Sequence, residues 1–185
     1  MTFTIFRRRP QSQSTTKPKS ADATPQLYTT LQNTARSFVD GTNPETPGGN
    51  TPTIANSPRT SDCLTSFGPS FLVSKRPPLQ GEITNDGFLN HMGMMTPMLQ
   101  TWRIEVQRIL VDEHKREASV LAMYYMTPKG EGDMESRTVH HEISWWLKMT
   151  DDGKLVERAI EYVDGAAAAR IQELVGEYKK SQGSA

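Results

Sequence analysis

Residues 136–165 read SRTVHHEISWWLKMTDDGKLVERAIEYVDG. Two apolar-rich runs flank Asp151, Asp152 and Gly153, a turn signal of the kind that closes a β-hairpin. The first run carries Val139, Ile143, Trp145, Trp146, Leu147 and Met149; the second carries Leu155, Val156, Ile160, Tyr162 and Val163. β-Branched and aromatic residues dominate both, as suits a pleated surface packed on at least one side. Ionisable groups lie within the same runs: His140, His141, Glu142, Arg158, Glu161 and Asp164. A long hairpin of this composition is either a sheet with a charged rim or the wall of a pocket.

Upstream, residues 102–111 alternate, with Trp102, Ile104, Val106 and Leu110 on one face and Arg103, Glu105 and Gln107 on the other. Residues 116–127 are apolar on both faces and read as a central strand. Four consecutive antiparallel strands are thus expected. Helices come before them. Pro25 suits a first helical turn behind Thr24 as N-cap, and Leu27, Leu31, Ala35 and Phe38 then form one helical face to about Val39. Thr84 or Asn85 caps a second helix over residues 86–96, with Phe88, Met92, Met95 and Leu99 on one face and His91 beside them. Pro97 ends or kinks it. Between the two, residues 41–60 are Pro/Gly-rich and read as an irregular loop, and residues 62–72 as a short helix or strand. A last helix is expected over residues 166–179, with Ile171, Leu174 and Val175 on one side. Helices followed by a run of strands point to an α+β fold with the helices on one face of a curved sheet.

Composition narrows the functional classes. The chain has 185 residues and a formal net charge of zero, so one domain is expected, with no strong pull toward nucleic acid or membrane. The charge is uneven. Arg7, Arg8, Arg9, Lys17 and Lys19 face only Asp22 in the first 26 residues, which leaves the remainder net acidic. Residues 1–24 read as a disordered basic tail, residues 25–178 as the folded domain and residues 179–185 as a flexible C-terminus. Cys63 is alone, which fits a reducing compartment. No apolar run approaches the roughly 20 residues that span a bilayer, and a cytoplasmic location is expected. The Arg-rich, acid-poor start keeps a mitochondrial address as the alternative.

The pair Asp62-Cys63, the segment FLNHMGMMTPML (88–99), HEISWWLKMTDDGK (141–154) and IEYVD (160–164) together resemble the SnoaL-like polyketide cyclases of the nuclear-transport-factor-2-like superfamily. The nearest likeness is to the fungal branch of short proteins found beside natural-product pathways. The resemblance covers about residues 27–175. It implies a cone-shaped half-barrel, a curved and mostly antiparallel sheet wrapped around N-terminal helices. It also implies a deep apolar pocket, usually within a homodimer. Members cyclise, isomerise, dehydrate or only bind, so the fold does not fix the chemistry.

Candidate residues follow from both readings. Asp164 ends the last strand where the bacterial cyclases place an acid/base aspartate. Simple alternation sets it on an apolar wall with Tyr162, Ile160 and Val156, where burial would raise its pKa; the bland alternative is a cap on the C-terminal helix. His91 faces the expected cone and could shuttle protons, or be a core-edge histidine bonded to backbone. Glu142 matches a glutamate of the fungal branch, or pairs across the sheet with Arg158 or Arg108. Arg108 interrupts an apolar strand face and calls for an anionic partner. Glu161 is expected on the outer, dimer-forming side. Tyr124 or Tyr162 would orient an oxygen, and Met95 and Trp146 complete the substrate-binding candidates. His140 and His141 point to opposite faces of a strand, so no metal motif is read there. The function expected is a cofactor-independent, metal-independent cyclase, isomerase or dehydratase. It would use Asp164, His91 and Glu142 for acid/base chemistry on a small hydrophobic polyketide- or terpenoid-like intermediate. The alternative is a non-catalytic ligand-binding or scaffold protein of the same fold.

Overall fold

The computed structural model describes residues 24–43 and 53–183. The tail expected over residues 1–24 falls almost wholly outside them, as does the middle of the Pro/Gly-rich loop. The first helix, α1 (Thr24–Asp40), buries Leu31, Ala35, Phe38 and Val39 completely, the apolar face that its spacing predicts. Gly41 stops it; a Cβ there would sit 2.6 Å from the Ser57 backbone nitrogen.

Five strands, one more than expected, form a single sheet: β1 (Arg59–Gly68), β2 (Leu99–Asp112), β3 (Glu117–Pro128), β4 (Val139–Met149) and β5 (Val156–Val163). The spatial order is β1-β5-β4-β3-β2, with β1 parallel to β5 and every other pair antiparallel. β1 falls where a loop and a short undecided element are expected. Its inner face reads Cys63, Thr65, Phe67, too polar to announce a strand by hydropathy. The short α2 (Ser70–Ser74) follows it, then α3 (Asn85–Met95), capped by Thr84, whose side chain accepts from the Gly87 N–H at 3.3 Å. The one-turn α4 (Met134–Arg137) bridges β3 and β4. The last helix, α5 (Gly165–Gly183), runs beyond the residue-178 boundary assigned to the folded domain. The organising hairpin closes at Gly153, which is held at φ +73°. A Cβ there would meet Leu31 of α1 at 2.9 Å, so the turn is seated under the helix. Among the described residues no helix is long and apolar enough to cross a membrane.

Two of the sheet's single-residue insertions, in β2 and in β5, decide which candidate side chains face inward. In β2, Val106 pairs with Ala122 but Arg108 pairs with Leu121, so Gln107 is extra. In β5, Val156 pairs with Met149 but Arg158 pairs with Lys148, so Glu157 is extra. A β-bulge inverts the inward-outward alternation beyond it. Past Gln107, Ile109 and Val111 turn inward, while Arg108 and Leu110 turn outward and Leu110 is 63% exposed. The expectation that Leu110 shares a face with Trp102 is thereby corrected, as is the apolar setting expected for Arg108. Past Glu157, the inward residues are Ala159, Glu161 and Val163.

The core lies between α1 and the concave face. Trp145 of β4, 2% exposed, meets the rings of Phe38 and Phe88 edge-on at 5.4 and 6.1 Å and donates to the Tyr124 hydroxyl at 3.0 Å. Its indole N–H is therefore satisfied within an apolar setting. On the opposite face, Trp146 looks outward with Ile160 and Tyr162.

Candidate functional site

The concave face, α3 and α5 enclose a cavity of about 610 Å³, within the range of small-molecule sites. Its walls are mainly apolar: Phe88, Met92, Met95, Trp102, Ile143 and Val163. Its polar lining includes Glu161, His91, Tyr124 and His141.

Glu161 is delivered by the Glu157 bulge. On the sheet it sits between Trp145 of β4 and Phe67 of β1. Among the described residues no hydrogen bond or ion pair reaches its carboxyl group. The side chain is half-buried: it opens onto the cavity, and protein surrounds the group otherwise. Burial therefore dominates and pushes its pKa up to about 7, with the Arg59 guanidinium pulling the other way. A carboxyl near that value can take or give a proton at neutral pH.

Arg59 lies behind it under the aromatic floor. Its guanidinium carbon is 4.1 Å from the Phe38 ring centroid and 4.7 Å from that of Phe88. Nη1 donates to Thr65 Oγ1 at 3.1 Å and Nε to Ser57 Oγ at 3.3 Å, while Nη2 is buried without a partner. Burial lowers its pKa, and the charges of Cys63 and Glu161 work against that. Cys63 is itself pushed up by burial, with Arg59 opposing, so its thiol is a poor nucleophile.

His91 projects from α3 and meets the Phe67 ring at a tilt of 55°, with ring centroids 5.0 Å apart. Phe67 is also the strand neighbour of Glu161, so imidazole and carboxyl share one side of the cavity. Burial lowers the His91 pKa, which keeps the ring neutral at pH 7, with one nitrogen able to donate and one to accept. His141 and Tyr124 are opposed on β4 and β3. Burial lowers His141, with Asp164 acting in the opposite sense, and neither ring nitrogen has a hydrogen-bond partner of normal geometry. Burial raises the Tyr124 pKa strongly, so it stays a phenol.

The structure thus brings His91, Tyr124 and Met95 to one cavity. It does not bring the other candidates there. Asp164 is exposed, and its Oδ1 accepts from the backbone N–H groups of Ala166 and Ala167 at 2.8 and 3.3 Å. That is the N-cap of α5, and the expected apolar wall of Val156, Ile160 and Tyr162 is divided by the bulge. Glu142 is exposed on the outer face of β4, Arg108 on the outer face of β2. Trp146 and Tyr162 line a separate groove on the outer side of the sheet. Glu161, expected outside, is inside. Arg59, His141 and Trp102 carried no functional expectation. Among the described residues no three His, Cys, Asp or Glu side chains are gathered as a metal site.

No protein-family model matches the sequence, and no curated protein matches it. Solved structures do match the fold. BvnE pinacolase from Penicillium brevicompactum superposes with a TM-score of 0.63 at 18% identity, over 80% of this chain and 95% of that one. PrhC from Penicillium brasilianum NBRC 6234 gives 0.59 at 18% identity, over 84% and 92%. A putative SnoaL-like polyketide cyclase from Jannaschia sp. CCS1 gives 0.52 at 10% identity, over 83% and 95%. The fold is the SnoaL-like α+β cone.

Proposed function

We propose that this chain is a cofactor-independent acid/base enzyme of the isomerase or cyclase kind, acting on a hydrophobic natural-product intermediate. The observation that carries the reading is Glu161, a carboxyl with a pKa raised to about 7 at the wall of an apolar cavity. Glu161 takes a proton from a carbon or hydroxyl of the bound molecule and returns it at a second position. Neutral His91, on the same side, donates a hydrogen bond to the oxygen on which charge develops. This pair takes the role that the sequence reading gave to Asp164 and Glu142, and keeps His91. General acid/base groups contribute about 10²–10⁴-fold each. The place in fungal natural-product biosynthesis is supported at the level of fold alone, by the likeness to the two Penicillium proteins.

Solvent-deuterium exchange tests the reading without the natural substrate. The wild type should catalyse deuterium incorporation into cyclic β,γ-unsaturated ketones, followed by mass spectrometry. Glu161→Gln should bind the same ketones and exchange at least about 100-fold more slowly. Exchange at the wild-type rate in the variant would remove Glu161 from the chemistry. Binding without exchange in the wild type would favour the second reading, a cavity that only holds a hydrophobic ligand, which the methionine-rich lining of Met92, Met94, Met95, Met98 and Met126 fits equally.

A further inference from the structure

The charged residues that line the cavity come from two sides of it. Among the described residues its only carboxyl group is Glu161, on the sheet; its two permanent cations, Arg76 and Lys179, lie at the helical side. These come from elements far apart in sequence. Arg76 follows α2, and Lys179 is near the end of α5. Arg76 reaches across to α5, where its Nη2 donates to Gln172 Oε1 at 3.2 Å. Gln172, Gly176 and Lys179 follow one another at i, i+4 and i+7, so they occupy one stripe of that helix. A Cβ added at Gly176 would meet nothing within 4 Å, which leaves the space beside Lys179 open. Met94, 67% exposed, belongs to the same lining. The opening therefore offers two cations and an apolar shoulder.

Several cations elsewhere on the surface are matched. Arg158 meets Glu82 at 2.5 Å, Arg170 meets Glu173 at 2.6 Å, Lys115 meets Asp112 and Lys154 meets Asp152, each at 3.5 Å. Among the described residues neither Arg76 nor Lys179 is in an ion pair. Arg76 spends one of its five N–H donors on Gln172, and a planar guanidinium fork can take two oxygens of one anion.

We propose that the mouth of the cavity is an anion-recognition site built from Arg76 and Lys179, and that the substrate is amphipathic. Its carboxylate or phosphate group stays at the mouth while its apolar body enters the cone toward Glu161. The division suits the chemistry. An anionic group beside Glu161 would oppose ionisation of that carboxyl, whereas at the mouth it fixes which end of the molecule goes in first. This inference rests on the cavity being the substrate site, as proposed above.

The test uses the full chain and three probes with the same ten-carbon body: decanoate, decyl phosphate and methyl decanoate. Binding is followed at pH 8 by the fluorescence of Trp102 and Trp145, which line the cavity. At low salt at least one anion should bind about 3- to 10-fold tighter than the ester. The advantage should shrink at high salt. In the double variant Arg76→Gln/Lys179→Gln it should fall to about one, with ester affinity unchanged. Which anion gains more tells carboxylate from phosphate recognition. Ester binding with no advantage for either anion overturns the mouth site alone, as does an advantage that survives in the double variant. Failure of all three probes to bind overturns the cavity as a ligand site, and the proposed function with it.

Discussion

Glu161 carries a cost that its neighbourhood does not fully offset. Its folded-state pKa is raised from 4.5 to about 7, so the folded protein holds this proton more tightly than the unfolded chain does. Below pH 4.5 both states are protonated and the group is neutral in its effect. As pH rises from 4.5 to about 7 the unfolded chain ionises first, and stability falls; above about 7 the deficit is constant. Its size is on the order of 1–3 kcal/mol, at the low end if water in the cavity solvates the carboxylate. Glu161→Gln should therefore melt several degrees above the wild type at pH 8 and at the same temperature at pH 4. Buried His91 and His141 are lowered instead, so they reduce stability at acid pH in both proteins and cancel in the comparison. Equal melting at both pH values would show that Glu161 titrates as an ordinary surface carboxyl. Asp164 behaves differently, because its carboxylate accepts from two backbone N–H groups at the start of α5. Asp164→Asn keeps a good cap and should leave stability and exchange activity near wild type, whereas Asp164→Ala should cost about 1 kcal/mol in chemical denaturation. Loss of exchange in Asp164→Asn with unchanged melting would return Asp164 to the chemistry.

Much of the fold was legible because its elements obey simple periods. The α1 stripe, the Thr84 cap, the Asp-Asp-Gly turn and the alternation of β3 all stand in the structure where periodicity and turn chemistry put them. His91 was legible for the same reason, one turn from Phe88 on an amphipathic helix. What period-two counting missed is concentrated at the bulges of Gln107 and Glu157, and it includes the main candidate of the site. Both bulges bear the same local mark. Val106-Gln107-Arg108-Ile109 and Val156-Glu157-Arg158-Ala159 each place two polar residues between two inward apolar ones. Strict alternation allows only one, so the doubled polar residue signals the insertion. Counting from the far end of β5, with Val163 inward, would have put Glu161 in the cone. β1 had no such mark; its edge position, parallel to β5, depends on a partner about 95 residues away. The bulge makes a prediction at this scale. Val156 and Arg158 already lie opposite adjacent residues of β4, Met149 and Lys148, so deleting Glu157 makes them adjacent in β5 as well and leaves both halves of the strand in register. Val156 stays inward, Arg158 outward and Glu161 in the cone. The deletion variant should therefore keep cooperative thermal unfolding and the near-ultraviolet signal of Trp145. Loss of either would show that the strand needs the extra residue to pair.

The sheet has two faces, and the described residues cover only one. On the concave side α1, α3 and α5 shelter the core and the cavity. On the convex side Trp146, Ile160 and Tyr162 line a groove with Ser119 and Ser144, and Tyr162 is 43% exposed. Polar residues border this region: Tyr125 donates to Glu105 at 2.9 Å, packs edge-on against His140 at 4.9 Å and lies under the Arg103 guanidinium at 4.0 Å. An aromatic centre with a polar margin is the usual layout of an interface. A second copy of the chain is the occupant to expect, because a sheet face can meet itself about a two-fold axis and zero net charge puts no repulsion in the way. Light scattering at micromolar concentration should then give twice the chain mass. Tyr162→Glu would place a charge in each half of the interface, close to its symmetry mate, and should return the protein to a monomer. Its position outside the cone predicts that affinity for methyl decanoate and the pH dependence set by Glu161 stay as in the wild type. A wild type that scatters as a monomer, or a Tyr162→Glu variant that stays dimeric, would mean that the convex face is not where two copies meet.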